Sequence, residues 1–305
     1  MDQLVVWRFI DGKAGHEAQS QGLLEALQRK VALEVHEVQV AQVHRAAWQW
    51  LLGRFPCGRD LPAPDWIIGA GHRTHLPMLA ARRARGGQIV VLMRPSLPLA
   101  CFDWAVVPEH DRPGVAHNLI VTQGVLNTVC RAEQASSAKG LFLLGGPSKH
   151  YRWDDAAMVE QVRRIVAQQP EVEWVLTTSR RTPALTLQGV QSLQLENLTV
   201  VPVEATAPGW VRSRLQECGR VWVSEDSISM IFEALTAGAQ VGLLDVPANG
   251  KHSRVQAAVQ KLKADGRVSV GQGEPIVNPA LPPLAEADRV ADLLLARSSG
   301  LRRPA

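Results

Sequence analysis

With 305 residues, 46% of them hydrophobic and 20% charged, the chain has the composition of a globular protein and a length that favours two hydrophobic cores over one. Cys57, Cys101, Cys130 and Cys218 form no CxxC pair and adjoin no His-rich motif, which argues against a zinc site or a disulfide framework and for a reducing compartment. The net charge is only +4, and Arg8 and Asp11 arrive too early for a signal peptide or a spanning helix, so a cytoplasmic protein is expected.

Along the chain, LVVWRFI predicts a first strand, followed by the polar string DGKAGHEAQ at 11–19 and a helix from about Gly15 to Arg29. LEVHEVQV predicts a second strand, and Val43–Leu52 a second helix. WIIGAG leads through GAGHRTH at 69–75 into a helix over His75–Arg85, and QIVVLMR, FDWAVVP and NLIVTQG read as three more strands. The small, polar and aperiodic stretch Cys130–Lys139 is the expected boundary between domains 1–135 and 136–283.

After that stretch the alternation restarts. GLFLLGG, VEWVLTTS, NLTVVPVE, RVWVSED and QVGLLDVP predict strands, with helices near Asp154–Gln168, Pro183–Gln188 and Trp210–Cys218, over SISMIFEALTAG and over His252–Lys263. Residues 284–305 are expected to form a helix over about Ala285–Ala296 and a mobile tail. Continuously apolar strands belong to parallel sheets covered on both faces. The expected fold class is therefore α/β, with two Rossmann-like domains facing a cleft.

Four polar strings follow strands at the carboxyl edge of such sheets: DGKAGHEAQ, GAGHRTH, GGPSKHY at 145–151 and SEDSIS at 224–229. Helix N-termini there present unpaired N–H groups to anions, so a nucleotide or phosphosugar site is expected. In GGPSKHY, Gly145 and Gly146 allow close approach and Ser148, Lys149 and His150 are donors; the string is neither a Walker loop nor a GxGxxG fingerprint. A plain turn would need the glycines but not the three polar residues. In TTSRRTP at 177–183, Arg180 offers a planar set of donors for a diphosphate, against the alternative of a surface arginine before a Pro-initiated helix. Ser227 and Ser229 mark a helix start able to hold pyrophosphate. Glu225 and Asp226 are either ligands or acids favoured by the helix dipole. Glu233, set among Ile231, Phe232 and Leu235, is expected to accept hydrogen bonds from a ribose.

Charge is unevenly spread. No Asp or Glu occurs from Trp66 to Phe102, a window holding Arg73, Arg82, Arg83, Arg85 and Arg94, and HRAAWQWLLGRFP at 44–56 interleaves arginines with Trp48, Trp50 and Phe55. This is either a solvated basic face or an interfacial patch meeting anionic lipid at the inner face of a membrane. No nucleic-acid-binding signature accompanies the arginines, so no nucleic-acid partner is expected. His72 and His75 are three apart, but no acidic ligand lies in the window, so no metal is expected.

Taken together, DGKAGHEAQ, GAGHRTH, GGPSKHYRWD, TTSRRTP and SEDSISMIFEAL resemble the mitochondrial-fission ELM family, over nearly the whole chain. The resemblance implies a GT-B glycosyltransferase architecture, with the donor bound mainly by the second domain and the last helix crossing back to the first. SEDSISMIFE is also similar in layout to the SGALTVSE string of the transferase that adds N-acetylglucosamine to lipid-linked muropeptide, which would make Glu233 the ribose ligand. The Glu225-to-Glu233 spacing resembles the two-glutamate motif of retaining GT-B enzymes, and the two analogies imply opposite stereochemical outcomes.

The implied activity is metal-independent transfer of a sugar from a nucleotide-diphosphate sugar, the substrate and not a cofactor, to an envelope-associated glycolipid or saccharide acceptor. Within it His16 would be the base and Asp11 its orienting partner, against the alternative that His16 only hydrogen-bonds locally. Gly15, His72, Arg73 and Thr74 would meet the acceptor. Two other readings compete: a non-hydrolysing nucleotide-sugar epimerase, and a binding or adaptor protein without turnover. Retention of Lys149, Arg180, Ser227 and Glu233 argues against the adaptor.

Overall fold

Runs of β-branched and aromatic residues become buried parallel strands, and the polar strings between them become loops at one edge. The computed structural model describes residues 3–250, 254–270, 281 and 284–299. It divides into a first unit, the residues up to Thr128 together with those from Glu286 onward, and a second unit, Val129–Ala285.

The first unit contains β1 (Leu4–Ile10), α1 (Ala14–Gln28), β2 (Leu33–Gln39), α2 (Ala46–Leu52), β3 (Trp66–Ala70), α3 (His75–Arg85), β4 (Gln88–Leu92), β5 (Trp104–Pro108) and β6 (Leu119–Thr122). Its strands form a parallel sheet in the order β2-β1-β3-β4-β5-β6. Alternate residues of each strand feed separate cores on the two faces, one holding Leu23, Leu27, Ile68 and Val90, the other Trp7, Phe9, Ile67 and Met78.

The second unit contains β7 (Ser136–Leu143), α4 (Asp155–Gln168), β8 (Glu173–Thr177), α5 (Ala184–Ser192), β9 (Leu198–Val201), α6 (Trp210–Glu217), β10 (Cys218–Ser224), α7 (Ile228–Ala237), β11 (Gln240–Leu244), α8 (Arg254–Ala264) and β12 (Ser269–Val270). The sheet is again parallel, in the order β12-β11-β10-β7-β8-β9. The last helix, α9 (Glu286–Ser299), belongs to the first unit, as the resemblance implies. It packs on α1, buries Val290, Ala291 and Leu294 in that core and pairs Asp288 with Arg29 and Asp292 with Lys30.

The α/β class with two parallel sheets is as expected, with local differences. Ser136–Lys139 is the exposed start of β7, paired with β10 at Ser136 across a register shift and with β8 at Lys139, although it lacks any apolar pattern. Backbone pairing to neighbouring strands places it in the sheet, a cause that side-chain periodicity does not carry. The two-residue β12 is too short to give a periodic signal. α2 starts three residues later than expected, after Arg45 at a left-handed φ of 54°. The start of the helix expected over His252–Lys263 and the tail after Ser299 lie outside the described residues.

Candidate functional site

Strand order decides which loops can form a site. In the second unit β8 and β9 follow β7 on one side while β10 lies on the other, so the loops leaving β7 and β10 run apart and open a crevice at the carboxyl edge. Those loops are GGPSKHY and EDS. In the first unit the corresponding switch lies between β1 and β3, whose loops carry DGKAGH and GAGHRT.

Asp226, 8% exposed, holds the second unit's loops together. Its Oδ2 accepts the Gly146 N–H at 3.0 Å and Arg181 Nη2 at 2.8 Å, and its Oδ1 accepts the Ser224 hydroxyl at 2.7 Å. Ser224 Oγ in turn accepts the Gly145 N–H at 2.8 Å. A Cβ on Gly145 would stand 2.3 Å from the Asp226 carboxylate, and one on Gly146 would stand 2.2 Å from the Arg181 carbonyl oxygen. These glycines are therefore required by the contact between loops, and the carboxylate of Asp226 is taken up by internal partners.

The arginine built into the site is Arg181, not Arg180. Arg181 Nη1 donates to the Gly146 carbonyl at 2.8 Å, whereas Arg180 is exposed and has no hydrogen-bond or ion-pair partner among the described residues. The choice between adjacent arginines is made by the turn Ser179–Thr182, in which the Thr182 N–H donates to the Ser179 carbonyl and the Thr182 hydroxyl to the Gly145 carbonyl. That turn aims Arg181 inward and leaves Arg180 exposed. Sequence reasoning missed Arg181, Thr182 and Ser224; the hydroxyl-rich spacing of S-x-x-T was the available signal.

GGPSKHY does not run directly into a helix. Eleven residues separate β7 from α4, and α4 is capped by its own Asp154, which accepts the Ala157 N–H at 3.0 Å. The loop folds back so that Tyr151 bridges Ala248 and the Ser148 hydroxyl accepts the His150 N–H at 3.2 Å. Lys149 is exposed and His150 half-buried on this loop. Burial, with the nearby Glu225 and Asp226 carboxylates, pushes the Tyr151 hydroxyl well above its ordinary value.

The helix N-terminus at this crevice is that of α7. Ser227, at its N-cap, makes no side-chain cap, and the N–H groups of Ile228, Ser229 and Met230 have no partner within the helix. Ser229 is exposed, and Glu233 lies four residues on, hence on the same face. Glu233 is the notable charge here: withdrawal from water pushes its carboxyl up to about 7, and no described residue pairs with it. Glu225 differs, since it is 4% exposed and ion-paired to Lys263, and burial outweighs that cation in raising its carboxyl. The spacing that relates the two glutamates in sequence thus joins one paired and one unpaired group.

In the first unit His16, in the opening turn of α1, places Nδ1 2.9 Å from Oδ2 of Asp11, whose side chain is 1% exposed. In the neutral imidazole this contact favours the tautomer that donates from Nδ1 to the Asp11 carboxylate and keeps Nε2 as an acceptor. The ring lies over Gly71, which has φ +82° and where a Cβ would approach His16 Cε1 to 2.3 Å. The loops after β1 and β3 are therefore packed against each other through the imidazole. Gly15 is exposed with open space around its Cα.

His72 and Arg73 are exposed and, with Asp11, Val43, Ala46 and Leu76, line a recess of about 380 Å3. Thr74 is not available there: it is fully buried and its hydroxyl donates to the Gly71 carbonyl at 2.8 Å, closing the turn. His75 is also internal, edge-on to Phe102, and burial lowers its pKa, with a smaller contribution from His72. Among the described residues no group of three or more His, Cys, Asp or Glu is placed to hold a metal ion.

Over 97–98% of its length the chain is similar in fold to several solved structures, three of which follow. The UDP-GlcNAc 2-epimerase of Neisseria meningitidis bound to UDP-GlcNAc has a TM-score of 0.59 at 9% identity, with 98% of this chain and 100% of that chain covered. The UDP-GlcNAc 2-epimerase of Methanocaldococcus jannaschii gives 0.56 at 9% identity, covering 97% and 100%. The S. aureus MnaA–UDP complex gives 0.53 at 13% identity, covering 97% of both. No curated protein matches the sequence. The family model for mitochondrial fission ELM1 matches residues 14–298, nearly the full chain, and the protein belongs to that family.

Proposed function

We propose that the protein is an enzyme that uses a nucleotide-diphosphate sugar, and that it transfers the sugar to an envelope-associated lipid or saccharide acceptor. The observation that carries the reading is the crevice at the β7/β10 switch, where an unpaired, largely desolvated carboxylate lies about one and a half helical turns from the open N-terminus of α7. A pyrophosphate suits the free N–H groups and the Ser227 and Ser229 hydroxyls, with Lys149 and Arg180 as cations and His150 as a further polar group at the rim. A ribose diol suits Glu233, because a hydrogen bond to a poorly solvated carboxylate is worth more than one to a carboxylate in water.

Two of the structurally similar proteins were solved with UDP or UDP-GlcNAc, which supports this class of ligand. In this reading Asp226 and Arg181 position the loops and touch no substrate. For transfer, the acceptor hydroxyl must lose a proton as the sugar–phosphate bond breaks, and the leaving diphosphate must be stabilised. His16 Nε2 takes that proton while Asp11 holds the ring, and Gly15, His72 and Arg73 meet the acceptor. Direct use of the sugar nucleotide calls for no cofactor and no metal.

The similar folds favour one rival, epimerisation of the sugar at the same site without an acceptor. Incubation with UDP-N-acetylglucosamine, with and without a lipid extract, separates the two. Transfer releases UDP only when acceptor is present and leaves the sugar configuration of unused donor unchanged. Appearance of an epimer without acceptor would establish the rival, and neither product with any sugar nucleotide would remove both.

A further inference from the structure

We infer that the first unit docks on an anionic lipid surface through α2 and Leu76. Helix α2, AAWQWLL, buries none of its residues. Ala46, Gln49 and Trp50, spaced i, i+3, i+4, make the face turned to α3, and the guanidinium of Arg83 lies 5.3 Å over the Trp50 ring. Trp48, Leu51 and Leu52, with the same spacing, make the opposite face and are 63%, 56% and 63% exposed. Leu76, 43% exposed at the start of α3, lines a recess together with Ala46 of α2. A soluble surface carries single apolar residues at no great cost, but three large ones on one face of one short helix mark an interaction site.

Charge selects the occupant. Between Glu37 and Asp103 the sequence has only two carboxylates, Asp60 and Asp65, against eight arginines and no lysine. Asp65 accepts the Val5 N–H and is tied into the edge of the sheet. Arg45, Arg54, Arg73 and Arg83 are all exposed, and among the described residues none has a carboxylate partner. A second copy of the chain would bring the same arginines against these, and the repulsion would oppose a symmetric interface. A lipid surface with negative headgroups meets both demands, because tryptophan and leucine enter the headgroup boundary while flanking arginines hold phosphates.

The same surface adjoins the recess that Ala46, His72, Arg73 and Leu76 help to line. Docking there would set the recess at the headgroup level, so a lipid-borne phosphate could enter it without leaving the bilayer. This last step rests on the acceptor role proposed for the recess; the docking itself does not.

The test is co-sedimentation of the full chain with vesicles of phosphatidylcholine alone and with phosphatidylglycerol added, for wild type, Trp48→Ser/Leu52→Ser and Arg45→Gln/Arg54→Gln. Because the substituted side chains are exposed, all three should unfold at the same temperature. Wild type should pellet with the anionic vesicles and much less with phosphatidylcholine, and about 0.5 M salt should weaken the arginine contribution. The apolar double variant should bind about tenfold or more weakly, from two interfacial side chains. Absence of binding to anionic vesicles, or binding unchanged by the apolar variant, would overturn the inference. So would concentration-dependent dimerisation in sedimentation velocity that the apolar variant abolishes, because a second copy would then cover this face. Loss of sugar-nucleotide binding in Glu233→Ala, measured without lipid, tests the site reading separately.

Discussion

Glu233 shows how one residue's environment becomes a measurable property. Burial of this half-buried residue, with no cation beside it, pushes its carboxyl up to about 7 from an ordinary 4.5. The folded state thus holds a proton that the unfolded chain gives up, and the stability linked to it is fully present below pH 4.5 and lost as pH rises to 7. The loss is on the order of 2–3 kcal/mol between pH 5 and pH 8, and Glu233→Gln should remove it. Denaturant titrations of both proteins should therefore agree near pH 5 and diverge at pH 8, with the variant the more stable. A ligand hydroxyl or counter-ion at this carboxylate would favour the charged form, so nucleotide binding near pH 7 should release a fraction of a proton.

Asp226 is the contrasting residue, buried yet fully partnered. Asp226→Ala would leave the Gly146 N–H and Ser224 hydroxyl unpaired and Arg181 without its anion, at a cost of about 2–4 kcal/mol. Arg180→Ala should change thermal stability by less than about 0.5 kcal/mol, since the side chain is exposed and unpaired. A lower sugar-nucleotide affinity in Arg180→Ala at unchanged stability would separate the ligand-facing arginine from the positioning one. The sequence showed both arginines but not their division of labour, because that depends on a turn closed by Ser179 and Thr182. In the same way Thr74 looked like an exposed donor until the turn after β3 was seen to use its hydroxyl internally.

At the scale of elements, α9 tests how the first unit is completed. Leu294 is fully buried in the core that α1 and the sheet share, whereas the Arg29–Asp288 pair is more than a third exposed on both partners. Leu294→Ala should cost about 2–5 kcal/mol, and Asp288→Asn less than about 1 kcal/mol. Equal losses in a denaturation experiment would mean that the helix is held by its charges rather than by its apolar stripe. Strands such as Trp66–Ala70 and Gln88–Leu92 were legible because helices cover both faces and the runs are apolar throughout. Ser136–Lys139 and β12 were not, because exposed side chains or a span of two residues leave no pattern to read. The helix His75–Arg85 coincided with its apolar period, while the start of α2 was set by a left-handed Arg45 that periodicity does not encode.

Across the whole molecule, two parallel sheets each reverse direction once, and the polar strings single out those reversals. The strings DGKAGH and GAGHRT share the first switch, and GGPSKHY and EDS share the second. Sequence places each string after a strand but cannot say which strands are neighbours; β1 beside β3 and β7 beside β10 are facts of topology. Once given, they turn four separate motifs into two constellations, one holding a paired histidine and one an open helix end with an unpaired carboxylate.

The second constellation is proposed to bind a nucleoside diphosphate and its sugar conjugate. The most direct measurement is a thermal-shift titration with UDP, GDP, dTDP and their sugars on wild type and Glu233→Ala. At about a hundredfold excess over its dissociation constant, a bound ligand stabilises the fold by about 2.7 kcal/mol. A nucleotide site that includes Glu233 should give such a shift for one nucleotide class in wild type, and lose all or most of it in the variant. No shift with any nucleotide, or an equal shift in both proteins, would contradict it.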